Sequence, residues 1–120
     1  GSRAPLHVTA VGKLMLGAGG EDEIRGYAER TNLPSYTRNT ISTLPKLMQE
    51  CSEAISKGYA FDNEEAEIDV GCIGVLLYDG TGSAVAGLSV SAPIERRRTA
   101  WIDDMVEAGR KISGQLGYHG

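Results

Sequence analysis

The sequence predicts an α+β domain, an antiparallel sheet with helices packed on it, and three features carry that expectation. Two strand-like apolar runs, Val70–Tyr78 and Ser83–Ser91, flank the turn residues Asp79-Gly80-Thr81-Gly82 and read as a β-hairpin. Apolar residues at helical spacing lie both before and after that hairpin. A hairpin alone is marginal in water, so further strands or covering helices are required.

From Thr9 to Leu16, Val11, Leu14 and Met15 fall three and four apart; Thr9 can cap the first turn and Gly17-Ala18-Gly19-Gly20 can end the helix. "EDEIRGYAERTN" follows with acids in its first turn, Ile24, Tyr27 and Ala28 on one face, and Gly26 as a weak point. Leu33 to Thr43 has no helical period and reads as an extended connection. A stronger helix then begins behind Ser42 or Thr43, tolerates Pro45 in its first turn, presents Leu44, Leu47, Met48, Cys51 and Ile55 as one stripe, and stops at Gly58. Cys51 on that stripe reads as a core thiol. "GYAF", Gly58 to Phe61, offers a third strand. From Arg97 to Leu116, Trp101, Ile102, Met105, Val106, Ile112 and Leu116 recur at helical spacing, with Gly117 as the stop.

With 120 residues the chain is one domain by length, and a chain of this size buries about two-thirds of its extended surface. Twelve Lys and Arg against sixteen Asp and Glu, a net charge of −4, give no overall attraction to nucleic acid or an anionic membrane. Arg96-Arg97-Arg98 reads as a solvated helix start. Cys51 and Cys72 are the only cysteines and have no paired spacing, so neither a disulfide framework nor a structural zinc site is expected, and a reducing, cytoplasmic setting fits. No stretch is long and apolar enough to span a membrane, and the first residues do not read as a signal peptide.

Candidate chemistry concentrates in "FDNEEAEIDVGCIGV", Phe61 to Val75, where five carboxylates precede Cys72. If Tyr78 pairs with Ser83, Cys72 lies opposite Ser89, Val70 opposite Ser91, Gly74 opposite Gly87 and Leu76 opposite Val85. Cys72, Ser89 and Ser91 then share a shallow, mildly polar face suited to a small ligand, while Ile73, Val75, Leu77, Ala84, Ala86, Leu88 and Val90 form a continuous core face. A mid-strand thiol behind carboxylates lacks the cationic neighbour or helix terminus that activates a nucleophile, which sets a thiol-dependent enzyme using Cys72 behind a binding role. The acidic run lacks the glycine and spacing of an EF-hand, so no metal is expected, and most of its carboxylates read as solvated.

"PLHVTAVGKLML", "YTRNTIST", "GYAFDNEEAEIDVGCIGV", "YDGTGSAVAGLSVSAP" and "RKISGQLGY", in this order, resemble the C-terminal effector-binding domain of IclR-family bacterial transcription regulators. The resemblance implies a GAF- or PAS-like α+β fold over residues 1–120, the later portion of a ligand-sensing domain whose early helix and strands, and a winged helix-turn-helix that contacts DNA, are expected to precede it. It implies a non-enzymatic sensor with no cofactor, homodimers that pair into tetramers, and a small-molecule effector of the organic-acid class. The family's pocket falls on Ala10 and Val11 at the start of the first helix, on Asp62, Val70 and Cys72, and on Ser89 and Ser91. Backbone N–H groups around Thr9, Ala10 and Val11 would hold a ligand carboxylate at the positive end of the helix, leaving Asp62, Ser89 and Ser91 for hydroxyl or carbonyl groups. Ala10-Val11 stands where relatives often have Gly-Ala, narrowing the space there, and Gly74 opens space on the same face. A module that only oligomerises is the remaining alternative.

Overall fold

The computed structural model describes residues 5–93 and 101–119. After a 3₁₀ turn at Leu6–Val8 come helices α1 (Ala10–Gly19), α2 (Glu21–Thr31) and α3 (Leu44–Lys57), strands β1 (Ala60–Asn63), β2 (Val70–Tyr78) and β3 (Ala84–Pro93), and helix α4 (Trp101–Gln115). The strands form an antiparallel sheet in the order β1-β2-β3.

Thr9 caps α1, its Oγ1 accepting from the Gly12 amide at 3.1 Å. Gly17 does not end this helix, which continues to Gly19 and breaks at Gly20, where φ is +92°. The reason for Gly17 is packing: a Cβ there would lie 2.6 Å from Ile55 Cγ1 and 2.8 Å from the Cys51 carbonyl oxygen, so the glycine lets α1 and α3 meet closely. α2 closes on Asn32 in the left-handed conformation, and α3 on Gly58 at φ +85°. Thr43 stands at the α3 N-cap without a side-chain hydrogen bond, and Ile55 is partly exposed, so Leu47, Cys51 and Ala54 make the buried face. The expected third strand exists but begins at Ala60 and runs to Asn63. The Arg96-Arg97-Arg98 run and the first turn expected of the last helix lie outside the described residues. Within α4 it is Met105, Gly109 and Ser113 that are buried, while Val106, and Leu116 just past its end, stay exposed.

Helices α1–α3 enclose one apolar cluster, including Leu16, Ile24, Tyr27, Leu47 and Cys51. Ala10 and Leu14 of α1, with Ala54, Ala60 and Leu76, bind these helices to one face of the sheet. On the opposite face Ile73 and Val75 pack against Met105.

The hairpin register corrects the expected pairing. Cys72 lies opposite Ser91, Gly74 opposite Ser89, Leu76 opposite Gly87 and Val70 opposite Pro93. Asp79 organises a five-residue connection: its Oδ1 accepts from the amides of Thr81 and Ser83, Gly82 takes φ +81°, and Tyr78 therefore pairs with Ala84 rather than Ser83. A β-bulge beside Leu77 and Tyr78 absorbs one more residue. The two single-residue shifts add to two, and strand side chains alternate with period two, so Cys72, Ser89 and Ser91 remain on one face. Ala84 is moved by the bulge to the α1 side, where it packs with Tyr78 and Met15. The opposite face is not continuous core in β3, since Val90 is partly exposed and Ala86 is exposed.

Candidate functional site

The start of α1 stands over the centre of the sheet because Gly74 and Gly87 leave room for it. A Cβ on Gly74 would lie 3.0 Å from Val11 Cγ2, 3.1 Å from Ala10 Cβ and 3.1 Å from the Val11 nitrogen. Gly12 is equally constrained, since a Cβ there would meet the Leu6 carbonyl oxygen at 2.2 Å and Thr9 Oγ1 at 2.3 Å. The first-turn amides of Ala10 and Val11 have no intrahelical acceptor, whereas those of Gly12 and Lys13 bond to Thr9. The Ala10 side chain is buried with Leu14 and Leu76, so its contribution to a site is its backbone; the Thr9 hydroxyl acts as a helix cap.

Cys72 and Ser91 touch, Sγ to Oγ at 3.0 Å. Asp62 pairs with Cys72 from the other flank of β2 and shares a side-chain hydrogen bond with it. The Asp62 carboxylate is buried and accepts from the Glu65 amide at 2.7 Å. Burial raises its pKa above the ordinary carboxylate value, opposed by the Glu65 and Ala66 amides, the Lys13 charge and the Cys72 bond. Ser89, opposite Gly74, lies on the same face beside Val11; both serines are exposed. Val70 is set at the far end of this face, across from Pro93. Thus Ala10, Val11, Asp62, Cys72, Ser89 and Ser91 converge, Thr9 supports them, and Val70 is peripheral. The convergence is an open face rather than an enclosed cavity.

Two buried polar groups escaped the sequence reading. Glu65, expected to be solvated, is only 3% exposed and pairs with Lys13, itself 2% exposed. Lys13 Nζ lies 2.7 Å from Glu65 Oε1, donates to Oε2 at 2.8 Å and donates to the Phe61 carbonyl at 2.7 Å. Glu65 Oε2 also accepts from the Asn63 amide, and the Thr40 hydroxyl donates to the Glu65 carbonyl. Its carboxyl pKa is raised, desolvation outweighing the Lys13 charge. The readable signal was Lys13 itself: positions 10, 13, 14 and 17 form one helical face, and a lysine there calls for a buried acid. The second group is His7, fully buried, with Nε2 2.8 Å from the Pro34 carbonyl and Nδ1 2.8 Å from the Tyr27 hydroxyl. A carbonyl only accepts, so Nε2 carries the proton and Nδ1 accepts from Tyr27.

These neighbours give Cys72 a hydroxyl and a carboxyl, not a base of the kind a nucleophilic thiol uses, and His7 is committed elsewhere. No group of metal-ligating side chains occurs among the described residues.

A three-stranded antiparallel sheet with a capped helix start over a partly polar strand face defines the class of this chain, an α+β domain. The family described as "Bacterial transcriptional regulator IclR C-terminal" matches residues 1–118, and the chain belongs to it. It is 37% identical over 123 residues to the HTH-type transcriptional regulator KdgR of Escherichia coli K12, covering 99% of this chain and 47% of that protein. The chain thus spans about half the length of this relative. The crystal structure of the C-terminal domain of E. coli KdgR superposes with a TM-score of 0.86 at 36% identity, covering 98% of this chain and 74% of that one. The inducer-binding domain of a double mutant of the Acinetobacter transcription factor PobR, in complex with 3-hydroxybenzoic acid, gives a TM-score of 0.83 at 25% identity, covering 98% and 67%. The relatives are transcriptional regulators, and the α+β fold agrees with them.

Proposed function

We propose that this chain is the effector-sensing domain of a cytoplasmic regulator, and that it binds a small organic acid on the face formed by Thr9, Ala10, Val11, Asp62, Val70, Cys72, Ser89 and Ser91. The observation that carries this reading is the placement of the α1 start, with the Val11 amide nitrogen against side-chain-free Gly74, on the strand face that Asp62, Cys72, Ser89 and Ser91 share. The amides and the helix dipole favour a carboxylate. The serine hydroxyls and Asp62 provide donors and acceptors for a hydroxyl or carbonyl beside it. The hydroxy acid bound to the PobR domain has these two kinds of group and supports the assignment. In this reading residues 1–120 are one sensing unit, the protein works as a homodimer or tetramer, and DNA is contacted by a separate winged helix-turn-helix. Among the described residues no helix is long and apolar enough to cross a membrane.

Calorimetric titration of the full-length protein with a panel of small hydroxy and keto carboxylates tests the assignment. Ser89→Ala and Asp62→Ala are expected to weaken an active ligand about tenfold or more each, the range for losing hydrogen bonds to a charged or polar ligand group. Unchanged affinity in both variants would place the ligand elsewhere.

A further inference from the structure

Val11 occupies a depression that exists only because two residues of the sheet lack side chains. A Cβ on Gly87 would lie 2.2 Å from Val11 Cγ1 and 2.7 Å from Cγ2, and one on Gly74 would lie 3.0 Å from Cγ2. In the observed register Gly74 faces Ser89 and Gly87 faces Leu76, so the two glycines are diagonal neighbours on the α1 side. Ser89 follows Gly87 by two residues on the same strand face. The isopropyl group packs, like Cys72, against the apolar cluster around Leu76 and Leu14, with the exposed Ser89 and Ser91 on the same strand face. Gly74 and Val11 are not independent: the space the glycine vacates is taken up by the valine.

We propose that Val11, seated on Gly74 and Gly87, is the specificity-determining residue that limits the length of the substituent a bound carboxylate carries. This deepens the ligand assignment above and rests on it. A ligand whose carboxylate meets the Val11 amide has its next carbons directed along the Gly74–Ser89 line. The valine methyl groups block further extension toward Gly87. Removing them leaves a cleft floored by two glycine backbones, shaped for additional methylenes. The change is mild for the fold, because Val11 is only half-buried and alanine is the better helix former.

The test is calorimetry of the full-length protein with glycolate, lactate, 2-hydroxybutanoate and 2-hydroxypentanoate, comparing the parent with Val11→Ala. The parent is expected to favour the short acids. Val11→Ala should raise the ratio of long-chain to short-chain affinity about tenfold or more, the discrimination that one methylene confers in a fitted pocket. Gly87→Ala should shift the ratio toward the short acids by crowding Val11, and Gly87→Ala combined with Val11→Ala should reverse that shift, so a folding defect in the single variant does not decide the outcome. The same chain-length ranking in parent and Val11→Ala, with binding still lost in Asp62→Ala, would overturn the role of Val11 while leaving the ligand site standing. Binding that Asp62→Ala and Ser89→Ala leave intact, or no binding of any of the four acids, would overturn this proposal; the broader carboxylate panel then decides the site itself.

Discussion

Replacing Lys13 with methionine keeps most of the apolar stem and removes the ammonium that meets both Glu65 oxygens and the Phe61 carbonyl. Glu65 Oε1 then has no partner among the described residues, because the Asn63 amide serves Oε2. Breaking one side of a buried ion pair costs about 3–5 kcal/mol, much more than losing an exposed pair such as Arg110–Glu107. Both Lys13 and Glu65 are almost wholly buried, which places this pair in the costly class. The loss also depends on pH. The Glu65 pKa is already raised by burial, Lys13 is the strongest influence lowering it, and its removal raises the pKa further. A carboxyl with a raised folded pKa contributes most stability below its unfolded pKa and loses that contribution as pH rises through the folded value. The gap between parent and Lys13→Met is therefore smallest at about pH 4, near the ordinary glutamate pKa, and widens toward neutrality. Combining Lys13→Met with Glu65→Leu removes the orphaned charge and should return stability to within about 1 kcal/mol of the parent or above it. Urea unfolding of the full-length protein, followed by circular dichroism at several pH values, measures all three. A loss under about 1 kcal/mol at neutral pH, or a gap unchanged by pH, would refute the burial of this pair.

Tyr27→Phe removes the donor to His7 Nδ1 while Pro34 still holds Nε2, leaving a buried acceptor unsatisfied. The expected cost is about 1–3 kcal/mol in urea unfolding, and a variant as stable as the parent would contradict the network. Burial, the main cause, pushes the Cys51 thiol up to about 11, so its stabilising contribution is intact below the free-thiol pKa and is lost as pH rises through about 11. Iodoacetamide at mild alkaline pH, read by mass spectrometry, should label half-buried Cys72 in the native protein and reach Cys51 only on unfolding; equal labelling would contradict the packing of α3 on α1.

The helices and the hairpin were legible because their signals are local. Thr9 capping, the Leu47-Cys51 stripe and the apolar runs about Asp79–Gly82 each depend on a few adjacent residues. Register was less legible, since loop closure by Asp79 and the bulge at Leu77 and Tyr78 each move the pairing by one residue. The shared face of Cys72, Ser89 and Ser91 survived because both shifts run in the same direction and restore the alternation. The candidate site was legible where motif and face coincided. Glu65 was not, because four neighbouring carboxylates carry the same charge and no period marks those that turn inward. The compensation of Val11 by Gly87 depends on a close approach between α1 and β3, far apart in the chain, which no local pattern encodes.

The central claim is that a carboxylate ligand sits where α1 begins, beside Ser89 and Ser91. Amide chemical-shift mapping of the ¹⁵N-labelled full-length protein during titration with the acid that binds best tests this most directly. The account predicts the largest shifts at Ala10, Val11, Cys72, Ser89 and Ser91. Shifts centred instead on the groove lined by Val75, Val106, Gly109 and Tyr118, on the opposite side of the sheet, would contradict it.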